Sequence, residues 1–77
     1  MPIDPSLRWR LRRGMKELDV LLERYLARRY ESASGGERGA FEKLLDEEDP
    51  HLWQWLMGHA PIPPEFEHVI TQIRRHD

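Results

Sequence analysis

Apolar residues recur along much of this chain at the three- and four-residue spacing that is typical of an amphipathic helix. The stretch over residues 18–26 shows this best, and its apolar residues are Leu18, Leu21, Leu22, Tyr25 and Leu26. Two later stripes predict a third helix, with Phe41, Leu44 and Leu45, and a last helix, with Phe66, Val69, Ile70 and Ile73. Strand-like alternation is nearly absent, so the pattern predicts an all-α fold.

Start and stop residues mark the ends of these helices. Ser34 followed by Glu37 matches a capping box, in which each side chain satisfies a free backbone amide of the first turn. Asp49 before Pro50 predicts the start of a fourth helix, with Asp49 as the N-cap residue. Gly58 is placed to end that helix, and the proline-rich stretch that follows predicts a linker.

A short first helix is predicted from Asp4 onward, with Trp9 between Leu7 and Leu11. Gly14 would end or kink this helix, because glycine inside a helix costs about 1 kcal/mol relative to alanine. The expected architecture is therefore five short helices. No single apolar stripe is large enough to stand alone, so the helices are expected to pack into one small bundle.

Length and composition narrow the possible classes of protein. The chain has 77 residues, of which 39% are hydrophobic, and it has no cysteine. That length supports a single domain over residues 1–77, with an ordered core at about 6–75. The lack of cysteine excludes a disulfide scaffold, a thiol nucleophile and a zinc site that uses thiolates. Neither a membrane span nor a signal or transit peptide is predicted, which favours a cytoplasmic protein.

Charge is divided unevenly along the chain, although the net charge is only −2. Residues 1–30 carry eight basic and four acidic side chains, whereas residues 31–77 carry four basic and ten acidic ones. The basic half fits either the solvated faces of short helices or contact with phosphates or an acidic protein surface. Two alternatives follow, a helical interaction or regulatory protein that binds through its tryptophan-rich helix, and a nucleic-acid-binding protein. The second would use Arg8, Arg10, Arg12 and Arg13, but the acidic second half of the chain argues against it.

The densest cluster of charged side chains surrounds Gly14. Three basic residues and two carboxylates flank this glycine, and they are Arg12, Arg13, Lys16, Glu17 and Asp19. Arg13 and Glu17 could form an ion pair if the helix continues through Gly14. The cluster is explained either as a helix start with an exposed ion pair, or as a patch that docks on a partner, since glycine permits close approach.

A second cluster, from Asp49 to His59, contains histidines and tryptophans. Trp53 and Trp55 lie about 200° apart on a helix, so they cannot both face one core. One of them is expected to be partly exposed or covered by another segment, either as a binding anchor or at the edge of a small bundle.

Patterns for catalysis and metal binding are weak. His51 and His59 are eight residues apart, which is poor spacing for a shared metal ion. His68 and His76 are expected to be exposed. No serine has a histidine and an acid in a known nucleophile context, and no glycine-rich loop precedes the lysine of a phosphate-binding motif. We therefore predict no catalytic residue, no metal site and no stably bound cofactor, and the chain is not predicted to be an enzyme.

Two segments carry a resemblance to a known family. The first is Trp9-x-x-Arg12-Arg13-Gly14-Met15-Lys16-Glu17-Leu18-Asp19, and the second is Asp49-Pro50-x-Leu52-x-x-Trp55-Leu56-Met57-Gly58-His59. Together with Tyr30-x-Ser32 and Phe41-x-x-Leu44-Leu45 between them, they resemble the SdhE family of small bacterial flavinylation factors. That family is similar to the mitochondrial succinate dehydrogenase assembly factor. The resemblance extends over about residues 6–75 without an apparent gap.

The resemblance implies a small five-helix bundle with a chaperone-like role. Such a protein would bind the flavoprotein subunit of succinate dehydrogenase, and also that of fumarate reductase, and promote covalent attachment of FAD to a histidine of the subunit. A monomer is favoured over a dimer. The implied binding surface centres on an Arg-Gly-x-x-Glu motif. The matching residues are Arg13, Gly14 and Glu17, with Arg12, Met15 and Asp19 beside them, and Asp49, Trp55, Met57, Gly58 and His59 in the second segment.

Overall fold

Helices alone make up the fold in the part of the chain that the structure describes. A computed structural model describes residues 5–75, without the side chains of Pro5, Ser6 and Arg8. The helices are α1 (Pro5–Arg10), α2 (Lys16–Tyr25), α3 (Gly35–Leu44), α4 (Asp49–Leu56) and α5 (Pro64–Arg74), and α2 continues as a π-helical segment over Leu26–Tyr30. No strand occurs between residues 5 and 75, and the all-α class is confirmed. The predicted start at Asp4 and the predicted exposed His76 lie outside the described residues.

The first helix is much shorter than the other four. α1 has 6 residues, whereas α2 to α5 have between 8 and 11. Four helices of comparable length therefore form the bundle, and α1 is a shorter helix whose Leu7 packs into the same core. α1 ends at Arg10, before it reaches Gly14, because the backbone that follows bonds to α2. The Arg13 backbone N–H donates to Asp19 Oδ1 at 2.9 Å and not to a helical carbonyl.

α5 lies at the centre of the core, because it packs against α2, α3 and α4. All of its predicted apolar residues are buried, and the predicted stripes of α2 and α3 are buried as well, apart from the half-buried Leu21. The buried hydrophobic residues are Leu7, Leu11, Leu18, Leu22, Tyr25, Leu26, Phe41, Leu44, Leu45, Leu52, Leu56, Phe66, Val69, Ile70 and Ile73. Among the residues whose side chains the structure describes, none of the buried ones is charged, and the only polar group that their side chains carry is the hydroxyl of Tyr25.

Ser34 caps the start of α3. Its hydroxyl oxygen accepts a hydrogen bond from the Glu37 backbone N–H at 3.1 Å, which is one half of the predicted capping box. The other half of that prediction is wrong. The Glu37 carboxylate does not turn back to the helix start, because it accepts a hydrogen bond from the hydroxyl of Tyr25 at 2.6 Å. The Tyr25 ring packs in turn on Phe41, with ring centres 4.6 Å apart, so α2 and α3 are joined by both polar and aromatic contacts.

Candidate functional site

Residues 11–15, here called the Gly14 loop, connect α1 to α2 and present backbone at the surface. Gly14 has φ 88°, a left-handed conformation that residues with a Cβ adopt only at a cost. Space around it is open, since no heavy atom beyond its chain neighbours lies within 4 Å of the position that a Cβ would take. Met15 is extended, and α2 begins directly after it. The loop therefore offers bare backbone to any molecule that approaches Gly14.

Arg13 anchors the Gly14 loop to the turn between α3 and α4. Its Nε donates to Asp49 Oδ1 at 2.9 Å, and its Nη1 donates to the carbonyls of Leu45 at 2.7 Å and Arg10 at 3.0 Å. Its Nη2 donates to the carbonyl of Glu47 at 2.5 Å. Only 13% of the side chain is exposed. Four of the five N–H donors of a guanidinium are thus used inside the molecule.

Asp19 fixes the same loop from the side of α2. Its carboxylate accepts the Arg13 backbone N–H, and it lies in the first turn of α2, where the positive end of the helix dipole favours an anion. The predicted ion pair between Arg13 and Glu17 does not form. The two residues do not share a helix, because α1 ends at Arg10, and the Arg13 guanidinium reaches Asp49 in place of Glu17.

Five residues of the first segment lie on the outside of the molecule, and these are Trp9, Arg12, Gly14, Lys16 and Glu17. Neither Arg12 nor Glu17 has an ion-pair partner among residues 5–75. Met15 is half-buried and packs against the core. The structure therefore divides the first segment into an outward side and an inward side that supports it.

Trp9 is an exposed residue that the motif did not lead us to include among the site residues. Its exposed fraction is 73%, and the guanidinium carbon of Arg12 lies 5.8 Å from its ring centre, within cation–π range. The sequence did contain a signal. Leu7 of α1 and Leu11, which follows the helix directly, are four residues apart and both buried, whereas Trp9 is about 200° around the helix from Leu7.

The start of α4 joins the Gly14 loop through Asp49. Glu48 is the N-cap residue of α4, and the predicted role of Asp49 as the N-cap is wrong. The Asp49 carboxylate instead accepts a hydrogen bond from the Arg13 guanidinium. Asp49 therefore supports the loop from the second segment.

The end of α4 lies away from the Gly14 loop. Gly58 ends the helix as predicted, with φ 75° one residue after the C-cap Met57. The N–H groups of Gly58 and His59 donate to the carbonyls of Trp55 and Gln54 at 3.3 and 2.8 Å, which is the Schellman pattern. An α-helix of this length is about 12 Å long. Met57, Gly58 and His59, all exposed, therefore lie at the opposite end of α4 from Asp49, the residue that contacts Arg13.

Both tryptophans of α4 are half-buried. The ring of Trp55 packs on the ring of Phe66 of α5, with centres 5.7 Å apart, and lies 6.0 Å from the ring of His51. Trp55 therefore contributes to the contact between α4 and α5, and only part of its surface faces solvent.

A chain of hydrogen bonds runs from Tyr25 through Glu37 to His68. Glu37 Oε1 lies 2.8 Å from Nε2 of His68, while Glu37 Oε2 accepts from Tyr25. Burial, reinforced by the neighbouring Glu37, raises the pKa of Tyr25 far above its usual value. Acid, hydroxyl and imidazole groups can transfer protons, but the tyrosine is 1% exposed and out of reach of a substrate. We interpret these hydrogen bonds as a structural link between α2, α3 and α5.

No group of three or more histidine, cysteine, aspartate or glutamate residues in the described part of the chain could hold a metal ion. Between residues 5 and 75, no helix combines the length and the apolar character needed to cross a membrane.

Comparison with known proteins places the chain in a family. A family model described as the flavinator of succinate dehydrogenase matches residues 6–77. The chain belongs to this family. The resemblance seen in the two sequence segments is thereby confirmed.

Several curated relatives in this family carry the name FAD assembly factor SdhE. The one from Xylella fastidiosa (strain 9a5c) is 60% identical over 70 residues, which cover 90% of this chain and 72% of the relative. The relative from Coxiella burnetii is 44% identical over 71 residues, covering 91% and 87%. The one from Shewanella oneidensis is 42% identical over 69 residues, covering 88% and 84%. No solved structure was found to match the chain.

Proposed function

We propose that this protein is an assembly factor that binds the flavoprotein subunit of succinate dehydrogenase and promotes covalent attachment of FAD to that subunit. The family model over residues 6–77 and the relatives named FAD assembly factor support this proposal. The proposal extends to the flavoprotein subunit of fumarate reductase as a second partner. It also takes residues 1–77 as one domain that acts as a cytoplasmic monomer.

The proposed contact surface is the outward side of the Gly14 loop together with the start of α2. One structural observation carries it: an anchored loop holds the cation of Arg12 and the carboxylate of Glu17, neither of which has an ion-pair partner in the described part of the chain, on either side of bare backbone at Gly14. Because the loop is already fixed by Arg13, ordering it on binding costs little conformational entropy. Glycine then lets the backbone of a partner approach closely.

The remaining residues of the two segments have different roles in this proposal. Four of them support the contact surface from behind, and these are Arg13, Met15, Asp19 and Asp49. Gly58 serves to terminate α4, because it occupies the left-handed position of the Schellman pattern. Met57 and His59 are candidate contacts away from the Gly14 loop, and Trp55 supports α4 against α5.

Bond formation between FAD and the acceptor histidine belongs to the flavin and the partner, since a cofactor carries the reactive groups and a protein supplies orientation. The role of this chain is to hold the partner. Arg12 and Glu17 would each pair with an opposite charge on the flavoprotein subunit and fix a mobile segment of it in the geometry that permits attachment. No catalytic residue of this chain is needed for that role.

Covalent flavin on the partner is the direct test. Cells that lack this protein are compared with cells that carry the wild type, and flavin fluorescence of the denatured flavoprotein subunit is read in a gel. Wild type is expected to restore the fluorescent band. Glu17→Gln is expected to weaken it, because the variant removes the exposed charge. Glu23→Gln is the matched control, since Glu23 is an exposed carboxylate of the same helix, and it is expected to behave as wild type.

Two outcomes would contradict the proposal in different ways. A band of unchanged strength in cells without the protein would exclude an assembly role. Loss of helical circular dichroism in Glu17→Gln would assign Glu17 to the stability of the fold and not to the contact surface.

A further inference from the structure

Trp9 is the most exposed large hydrophobic residue in the described part of the chain. Its exposed fraction is 73%, compared with 55% for Val20 and 37% for Met57. An indole held mostly in water forgoes the gain from burying a large apolar surface. Rotation of α1 cannot recover that gain, because it would expose Leu7 and Leu11, which occupy the opposite face and are buried.

Arg12 is held beside Trp9 and has no counter-ion among the described residues. Its backbone N–H donates to the carbonyl of Trp9 at 3.1 Å, so a backbone turn keeps the two residues together. The neighbouring arginines are both neutralised, Arg10 by Asp46 at 2.6 Å and Arg13 by Asp49 at 2.9 Å. Arg12 instead places its guanidinium 5.8 Å from the indole centre and meets no carboxylate of residues 5–75.

We propose that Trp9 and Arg12 together form an anchor that enters an apolar recess of the flavoprotein subunit, with a partner carboxylate at the rim of the recess to receive Arg12. This proposal rests on the proposed function and adds a residue and a chemistry to its contact surface. Tryptophan and arginine are the residue types that most often dominate binding energy at protein interfaces. The anchor precedes Gly14 by only two residues, so it continues the outward side of the Gly14 loop.

The surrounding charges favour a protein partner over a nucleic acid. A polyanion would require a run of free cations, whereas Arg10 and Arg13 already pair with carboxylates and the exposed Lys16 is followed directly by the exposed carboxylate of Glu17. Glu17 adds an exposed negative charge at the start of α2. One free guanidinium beside one indole matches a single carboxylate next to an apolar recess, which is a protein surface.

Affinity for the purified flavoprotein subunit tests the anchor. Trp9→Ala is expected to raise Kd at least about tenfold, while Trp9→Phe, which keeps an aromatic ring, is expected to raise it less than about threefold. Arg12→Gln is expected to raise Kd about fivefold and to reduce its dependence on salt. Arg28→Gln is the matched control, because Arg28 is an exposed arginine of the π-helical segment, and its Kd is expected to stay within about twofold of wild type.

Hydroxyl-radical footprinting of the wild type gives a second measurement that needs no substitution. Oxidation of Trp9 is expected to fall several-fold when the flavoprotein subunit is added. Unchanged oxidation of Trp9 in a complex that does form would overturn the anchor, and so would equal affinity of Trp9→Ala and wild type. Neither result would affect the proposed function, which fails if the wild type does not raise covalent flavin on the subunit.

Two other occupants of this surface would also overturn the proposal. Sedimentation of the isolated protein could show a dimer that Trp9→Ala dissociates, and the surface would then join two copies of this chain. Salt-dependent binding of duplex DNA that is lost in Trp9→Ala would assign the surface to nucleic acid.

Discussion

Arg12 and Arg13 are neighbours in the sequence but lie in opposite environments. The Arg13 guanidinium donates four hydrogen bonds within the molecule, whereas that of Arg12 extends along the indole of Trp9 at the surface. The two arginines therefore have different roles, although the sequence motif treats them alike. Arg13 determines the shape of the Gly14 loop, and Arg12 supplies the charge that the loop displays.

Substitution of each arginine should show this difference in the free energy of unfolding. Arg13→Gln is expected to lower it by about 2–4 kcal/mol, because Asp49 and three backbone carbonyls lose their donor. Arg12→Gln is expected to change it by less than about 0.5 kcal/mol. Urea unfolding followed by circular dichroism measures both. Equal losses in the two variants would show that Arg13 does not anchor the loop.

Glycines 14 and 39 provide a second contrast at the same scale. Gly14→Ala is expected to destabilise the protein by about 1–2 kcal/mol, because φ is 88° there although the space is open. Gly39→Ala is expected to stabilise it by about 0.5–1 kcal/mol, since Gly39 lies inside α3 and also has open space around it. Thermal unfolding of the two variants should give shifts of opposite sign. Shifts of the same sign would contradict the conformational explanation.

At the scale of helices, the apolar stripes were predictable and several helix ends were not. Leu22 and Ile70 are buried as predicted, because a helical period is a local property of the sequence. Ser34 was also predictable as a cap, since its acceptor role concerns the next turn only. The predicted roles of Asp49 and Glu37 failed for another reason. Their partners, Arg13 and Tyr25, are 36 and 12 residues away in the sequence. A local pattern cannot predict contacts between residues so far apart.

The same reasoning explains what could be foreseen of the candidate site. Gly14 and Glu17 could be singled out from their spacing, and both are exposed. The different environments of Arg12 and Arg13 could not be predicted in the same way. They depend on the position of the turn between α3 and α4, which follows only from the packing of the whole bundle. The exposure of Trp9 was predictable from the helical period, but Trp9 lies outside the Arg-Gly-x-x-Glu motif and was not included among the site residues.

The contact of Tyr25 with Glu37 between α2 and α3 should make the free energy of unfolding depend on pH in the alkaline range. Burial raises the pKa of Tyr25 in the folded protein, whereas in the unfolded chain it ionises near pH 10. The stabilisation from neutral Tyr25 is therefore complete below about pH 10 and declines as the pH rises above it. Urea midpoints should fall more steeply between about pH 9 and 11 in wild type than in Tyr25→Phe. An equal change of the urea midpoint with pH in the two proteins would mean that folding does not raise the pKa of Tyr25.

At the scale of the whole molecule, the two sequence segments meet at one point. Asp49 faces Arg13 at the start of α4, while Met57 and His59 lie at the other end of that helix, where Gly58 ends it. α5 packs against α2, α3 and α4, so it holds these parts in a single core. The candidate contact surface is consequently a feature of the bundle, since its loop takes shape only where the ends of several helices come together.

The bond between Arg13 and Asp49 has a consequence for synthesis of the chain on the ribosome. The two residues are 36 positions apart, and Asp49 is residue 49 of 77. A growing chain that ends before Asp49 contains the whole Arg-Gly-x-x-Glu motif but lacks its anchor. Under the proposed function, the contact surface is therefore expected to form only after α3 and the start of α4 have been synthesised and can bond to Arg13.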